Sequence, residues 1–225
     1  MTPPALSQDS RTRLIDSAIL HFAAKGFDGT GIREIAKSAN TNSAMVAYHF
    51  CGKEGLYSEA LKALFSRKVS PVSQLASLPA PGAPGARQAA LQGLQDYIRA
   101  FLTELMTCDG QDPVDEAAMI LMAREMQAPR PASSALLIEH LRPYVTHLTS
   151  CLQVLRPDLK EDQLFAMGVS IQGLMIHFRN SLGILRLLRG NPAYPEDLAN
   201  VIQHHIDFSL RGLGVPEAFP SPTLS

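Results

Sequence analysis

Little in this chain supports catalysis, export or membrane insertion. Its three cysteines, Cys51, Cys108 and Cys151, stand far apart and form neither a CxxC pair nor a Cys/His cluster. That spacing argues against a structural zinc and against a disulfide framework. No apolar run reaches the ~18 residues that cross a bilayer, and Met1 to Ser10 lacks the basic-then-apolar order of an export signal. Cytoplasmic residence without a membrane partner is the resulting expectation. The G-x-S-x-G elbow, the Walker loop, the dinucleotide-binding glycine pattern and H-E-x-x-H are all missing. No acid/base pair stands out, so neither a catalytic residue nor a cofactor nor a metal is expected. Sustained β-branched alternation is missing as well, which leaves an all-α chain. A formal net charge of −1 argues against an unspecific polybasic binder.

The near-zero balance hides a split. Residues 1–68 hold nine Lys/Arg against six Asp/Glu, while residues 69–225 hold eleven against fifteen. The positive end is where a nucleic-acid surface belongs. Within it, the block Phe27 to Leu56 carries the strongest pattern. Ile32, Ile35, Ala36 and Ala39 recur at helical spacing and predict a short helix that begins at Thr30 or Gly31. Glu34 lies three residues past Gly31, but Gly31 has no hydroxyl, so the capping box is incomplete. Asn40 suits a turn that needs positive φ, and Asn42 suits the N-cap of a second helix over 43–50. Val46 and Phe50, four apart, should face inward. Ser43, Ala44, Ala47 and Tyr48 are then left facing out, with Met45 and His49 on the flanks.

A surface helix ordinarily shows Glu and Lys. Small residues instead let a helix approach base edges, and Ala can touch a thymine methyl. Tyr48 and His49 can bond phosphate oxygens, and Lys53 opens the next helix with a charge that can meet the backbone. An ordinary helical hairpin in an all-α core is the competing reading. The turn, the cap, the Tyr-His pair and the lysine arrive together at the spacing of a helix-turn-helix, which favours DNA.

At these residues the chain resembles the tetracycline-repressor (TetR) family of bacterial regulators. Leu14, Ile15, Ala18, Ile19, Phe22 and Ala23, closed by Lys25-Gly26-Phe27, match its first helix, and Tyr48-His49-Phe50 resembles the branch whose recognition helix ends that way. The resemblance covers residues 8–68 strongly and the remainder in layout. It implies phosphate contacts from Thr30, Tyr48, His49 and Lys53 and base contacts from Ser43, Ala44, Met45 and Ala47. Gly31 and Asn42 complete the expected DNA-binding set. Gly31 departs from the family's Ser or Thr, Asn40 from Gly, and Cys51 from a small residue or Pro. The implied architecture is an N-terminal three-helix bundle (8–68), a helical effector-binding and dimerisation body (69–213) and a disordered tail (214–225).

Periodicity predicts body helices over about 53–78, 87–107, 113–127, 133–155 with a kink at Pro143, 161–189, and 195–213 with Pro195 at N1. Gly168, Gly173 and Gly183 suggest close backbone approach of another helix. The last two helices are too apolar to be solvated. They bury inside one body or between two copies, and the need to read more bases than one short helix reaches favours two, with Ile202 and Leu210 at the interface. Met119, Met122 and Met126 share one helix; core packing explains any one of them, and an adaptable wall for an apolar effector explains the set. His140, Tyr144, His147, Gln172, His177 and Phe178 are the candidate anchors of such a pocket. The function expected is a repressor of palindromic operator DNA, homodimeric through its last two helices and released by a small apolar or amphipathic effector. An all-helical enzyme and an effector-independent architectural DNA binder are the alternatives.

Overall fold

In the computed structural model, which describes residues 7–66, 71–107 and 112–215, the chain is all-α and falls into two compact units. The first comprises Met1–Val69 and Cys108–Leu141, the second Ser70–Thr107 and Arg142–Ser225. The division differs from a simple cut after residue 68, because a later segment joins the N-terminal head.

The head contains α1 (Gln8–Lys25), α2 (Ile32–Ser38), α3 (Ser43–Phe50), α4 (Lys53–Ser66) and α6 (Pro113–Gln127). Ser7 caps α1 by accepting from the Ser10 N–H, and Asn42 caps α3 by accepting from the Ala44 N–H at 2.9 Å. Gly31 caps α2 with backbone alone. The Glu34 carboxylate is paired with the Lys25 ammonium at 3.1 Å, and this pairing, with a smaller contribution from the Gly31 backbone, holds its pKa below the ordinary carboxylate value. The stripe Leu14, Ile15, Ala18, Ile19, Phe22 and Ala23 packs with Ile35, Ala36, Val46, Phe50, Leu56 and Leu61 into one core. Ala117, Ala118 and Leu121 of α6 enter the same core. The small side chains of Ala117 and Ala118 let α6 lie close along α1. Of the helix expected to run from Lys53 to Leu78, the described residues show α-helix over Lys53–Ser66 and a short 3-10 turn at Pro71–Gln74; residues 67–70 lie outside the described residues.

The second unit is built from α5 (Ala86–Met106), the later part of α7 (Ser134–Leu155), α8 (Glu161–Asn180), α9 (Leu182–Arg189) and α10 (Leu198–Gly212). Leu94, Tyr97, Ile98 and Leu102 of α5 pack with Leu148 and Leu152 of α7, Leu164 and Ile171 of α8, and Ile206 and Leu210 of α10. Helix α7 contains Pro143 and stays α-helical through it.

Several expectations give way to the structure. The segment 161–189 is two helices, parted at Ser181. The last helix starts after Asp197, whose carboxylate accepts from the Asn200 N–H, rather than at Pro195. Among the three glycines expected to admit a neighbouring helix, only Gly168 meets one, at Leu148 and Leu152; Gly173 and Gly183 face open space. Finally, Ile202 and Leu210 are buried in the unit's own core and present no free surface. At the C-terminal end, Val215 is buried, and its N–H reaches the Leu210 carbonyl at 3.2 Å, so the expected tail begins packed. Residues 216–225 of that tail lie outside the described residues.

Candidate nucleic-acid interface

Two left-handed residues set the local geometry of the head. Asn40 takes φ 51 in the turn between α2 and α3, where asparagine tolerates what most side chains do not. Cys51 takes φ 55 as the C-cap of α3. A β-carbon is strained there, so Cys51→Gly is expected to stabilise the head by about 1 kcal/mol, read as a raised thermal midpoint. A third device is Gly55. A β-carbon at that position would fall 1.7 Å from the Phe50 carbonyl oxygen. Its absence lets the first turn of α4 close onto the end of α3 and fixes where Lys53 stands.

On α3 the inward residues are Val46 and Phe50, both buried. Ala44, Ala47 and Tyr48 are exposed, and Ser43, Met45 and His49 are half-buried. The helix thus presents a nearly smooth face of small side chains ending in a phenol. The Tyr48 and His49 rings meet edge to face at 4.9 Å. His49 Nε2 is sealed from solvent with no hydrogen-bond partner, so only its other ring nitrogen can reach out to a phosphate. Lys53 stands at the start of α4 with its ammonium 4.5 Å above the Phe27 ring.

Thr30 does not fit the role implied for it. It is 2% exposed, and its hydroxyl bonds the carbonyls of His21 and Gly26 at 3.1 and 2.7 Å. It joins the end of α1 to the start of α2 and so belongs to the scaffold. Gly31 is exposed, with only its backbone to offer. Conversely, sequence reasoning passed over Arg33 and Lys37. Both are exposed, and they line a polar groove with Asn40, Thr41, Asn42 and Ser43 beside the start of α3. The first helix of a helix-turn-helix crosses the DNA backbone, so its basic residues were the signal to use.

The candidate effector residues separate. Met119 and Met122 are half-buried and Met126 is exposed on α6, whose buried face serves the head core. His140 also lies in the first unit, stacked on Phe65 at 4.2 Å, and burial pushes its pKa below the ordinary histidine value. The second unit holds the others. Tyr144 donates to the Glu104 carboxylate at 2.9 Å, and His147 donates from Nε2 to the Gly93 carbonyl at 3.3 Å. Gln172 donates to the Tyr97 hydroxyl at 2.7 Å, whose pKa burial drives upward. His177 and Phe178 line a separate groove of about 570 Å³ with Leu174, Tyr194, His204 and Phe208. The nine residues thus divide between the units, Met119, Met122, Met126 and His140 in the first and Tyr144, His147, Gln172, His177 and Phe178 in the second.

Comparison with known proteins decides the family. Residues 14–60 match the family model described as bacterial regulatory proteins, tetR family. Residues 93–213, more than half of the chain, match the C-terminal domain of the HTH-type transcriptional dual regulator CecR. The chain belongs to the TetR family. Its body is of the CecR C-terminal type. Over 47 residues the chain is 51% identical to "Probable HTH-type transcriptional regulator YttP" of Bacillus subtilis (strain 168), a match covering 21% of this chain and 23% of that one. It is 42% identical over 55 residues to the biofilm operon icaADBC negative transcriptional regulator IcaR of Staphylococcus aureus (strain Newman), covering 24% and 30%. The chain therefore spans less than a third of the length of these curated relatives. Solved structures extend the likeness in fold to most of this TetR-family chain. HlyIIR, a hemolysin II transcriptional regulator, aligns with TM-score 0.56 at 19% identity over 88% of this chain and 96% of its own. The flavonoid-responsive regulator FrrA aligns with TM-score 0.54 at 22% identity over 94% and 97%. No helix among the described residues is long and apolar enough to cross a membrane.

Proposed function

We propose that this TetR-family chain is a sequence-specific transcriptional regulator that binds palindromic operator DNA as a homodimer. The carrying observation is α3, eight residues with Ala44, Ala47 and Tyr48 outward on a core-anchored backbone, followed at once by Lys53. Its end in Tyr48-His49-Phe50 supports the branch of the family that reads DNA with that tripeptide. Ser43, Ala44, Met45 and Ala47 address base edges. Tyr48, Lys53 and, through its outward nitrogen, His49 address phosphates, with Arg33 and Lys37 beside them. Repression is supported by the chain's likeness over 55 residues to IcaR, whose name describes a negative regulator.

Dimerisation through α8 and α10 is supported by what those helices leave uncovered. Phe165 is 58% and Val169 51% exposed on α8, and Phe208 is 55% exposed on α10. Gly173 follows Val169 at helical spacing and faces open space, which suits the close approach of a second copy. An apolar or amphipathic effector bound in the second unit is supported by the groove of His177 and Phe178 and by the part-buried polar pair Gln172–Tyr97. The effector would act by favouring a body shape that sets the two heads at a spacing other than the 34–36 Å between successive major grooves.

The experiment is a salt titration of operator binding. Tyr48→Ala and Lys53→Ala should each weaken binding evenly across sequences, and Lys53→Ala should flatten the slope of log K against log salt by about one unit. An unchanged slope and affinity for Lys53→Ala would remove the proposed docking. Substituting Ala47 with a bulky residue should instead change which operator is preferred.

A further inference from the structure

The segment Pro129-Arg130-Pro131 follows the end of α6. It belongs to the first unit and lies against the residues that end α1. Its backbone is fixed from both sides. The Arg130 N–H points to Glu125 Oε2 at 3.4 Å, and its carbonyl accepts from the hydroxyls of Ser133 and Ser134 at 3.0 and 2.9 Å. Glu125 is only 3% exposed and is itself held by the hydroxyls of Tyr57 and Ser133. The flanking prolines narrow the backbone further. The arginine side chain is thus presented by an ordered turn and does not wander on a loop.

Its guanidinium centre sits 3.9 Å from the centroid of the Phe27 ring. That ring also carries the Lys53 ammonium at 4.5 Å. Two cations on one aromatic ring repel each other, and the ring's negative faces offset the repulsion only in part. The carboxylate facing Arg130 is Asp28 at 3.6 Å, with a side chain 89% exposed. Arg130 itself is half-buried, its side chain 35% exposed, and a pair whose acid lies so open to water contributes ~0–1 kcal/mol, so a stronger anion reaching the exposed part of the guanidinium can replace Asp28. Phosphates recur about every 3.4 Å of helix axis along one DNA strand, so a cation beside Lys53 meets the same or a neighbouring phosphate. The planar guanidinium fork matches phosphate geometry better than an ammonium does.

We propose that Arg130, from the turn between α6 and α7, is a further phosphate-binding residue of the DNA interface, acting beside Lys53 on the shared Phe27 ring. The inference rests on the reading of Lys53 as a phosphate contact. It makes the turn after α6 a direct part of the DNA surface, so a shift of α6 changes a DNA contact without first moving α3.

The test is the salt dependence of operator binding by the full chain, followed by fluorescence anisotropy. Arg130→Gln should flatten the slope of log K against log salt by about one unit and weaken binding at low salt by several-fold or more, with the order of preferred sequences unchanged. Arg130→Lys should restore the slope. Arg130→Met keeps an unbranched stem on the Phe27 ring, so its fold is preserved if Arg130→Gln proves unstable, and it should show the same flattening. Unchanged slopes for Arg130→Gln and Arg130→Met, alongside a flattened slope for Lys53→Ala, would overturn the Arg130 proposal and leave the DNA reading intact. Unchanged slopes for all three would overturn both.

Discussion

Replacing Phe165 and Phe208 together with glutamate should convert the protein to a monomer at micromolar concentration. Each ring is more than half exposed in the single chain, and each sits on a helix whose other side is committed to the core. Covering a Phe side chain contributes about 1.5–3 kcal/mol, and a twofold interface would cover both rings in each of two copies. A glutamate in the same place must shed its water with no cation provided for it. Light scattering reads the mass directly. Operator binding should fall on the order of 100-fold or more, because a lone head holds one half-site without the gain from linking two. The double variant should retain its helical circular dichroism, since neither residue is buried. Ile202→Glu and Leu210→Glu should behave differently and unfold the body, as both side chains are enclosed within it. A double variant that remains dimeric would place the interface elsewhere.

Gly55→Ala is the second large expected effect. The added carbon would lie 1.7 Å from the Phe50 carbonyl oxygen and 2.8 Å from its carbon, both backbone atoms, so no side chain can yield to make room. Either α4 retreats from the end of α3 or the last turn of α3 opens. Overpacking of this kind costs about 1–3 kcal/mol, and here the displaced pieces carry Lys53 and the recognition helix. Thermal unfolding should show a lowered midpoint, and operator affinity should drop tenfold or more even at temperatures where the head stays folded. A variant that melts and binds like the unmodified chain would show that α4 can shift freely and that the α3–α4 junction does not set the docking.

The head was the legible part of this sequence because its information is local. Asn42 as cap, Asn40 as left-handed turn residue and Val46 and Phe50 as anchors each follow from spacing within one or two helical turns, and α3 lies at Ser43–Phe50 as that spacing requires. What failed was non-local. Nothing in residues 113–127 says that Ala117, Ala118 and Leu121 pack against α1, and without that partner the methionines on the other faces read as a pocket wall. Thr30 failed for a similar reason: a threonine before a helix is equally suited to a phosphate and to the carbonyls of His21 and Gly26, and tertiary position chooses. The apolar character of residues 161–213 was legible, but which apolar residues face inward was not. Apolar residues lie on more than one face of each helix, so composition did not choose among them: Ile202, Ile206 and Leu210, four apart on α10, turned inward, while Phe208 of the same helix and Phe165 of α8 stayed exposed.

The most direct test of a dimeric, sequence-reading regulator is selection from a pool of randomised duplexes by the full-length chain at physiological salt. The account predicts enrichment of a two-fold symmetric site whose half-sites are centred one helical turn, or a multiple of one turn, apart, about 10–10.5 base pairs each. Enrichment of a single asymmetric half-site, or retention of the whole pool without sequence preference, would contradict it.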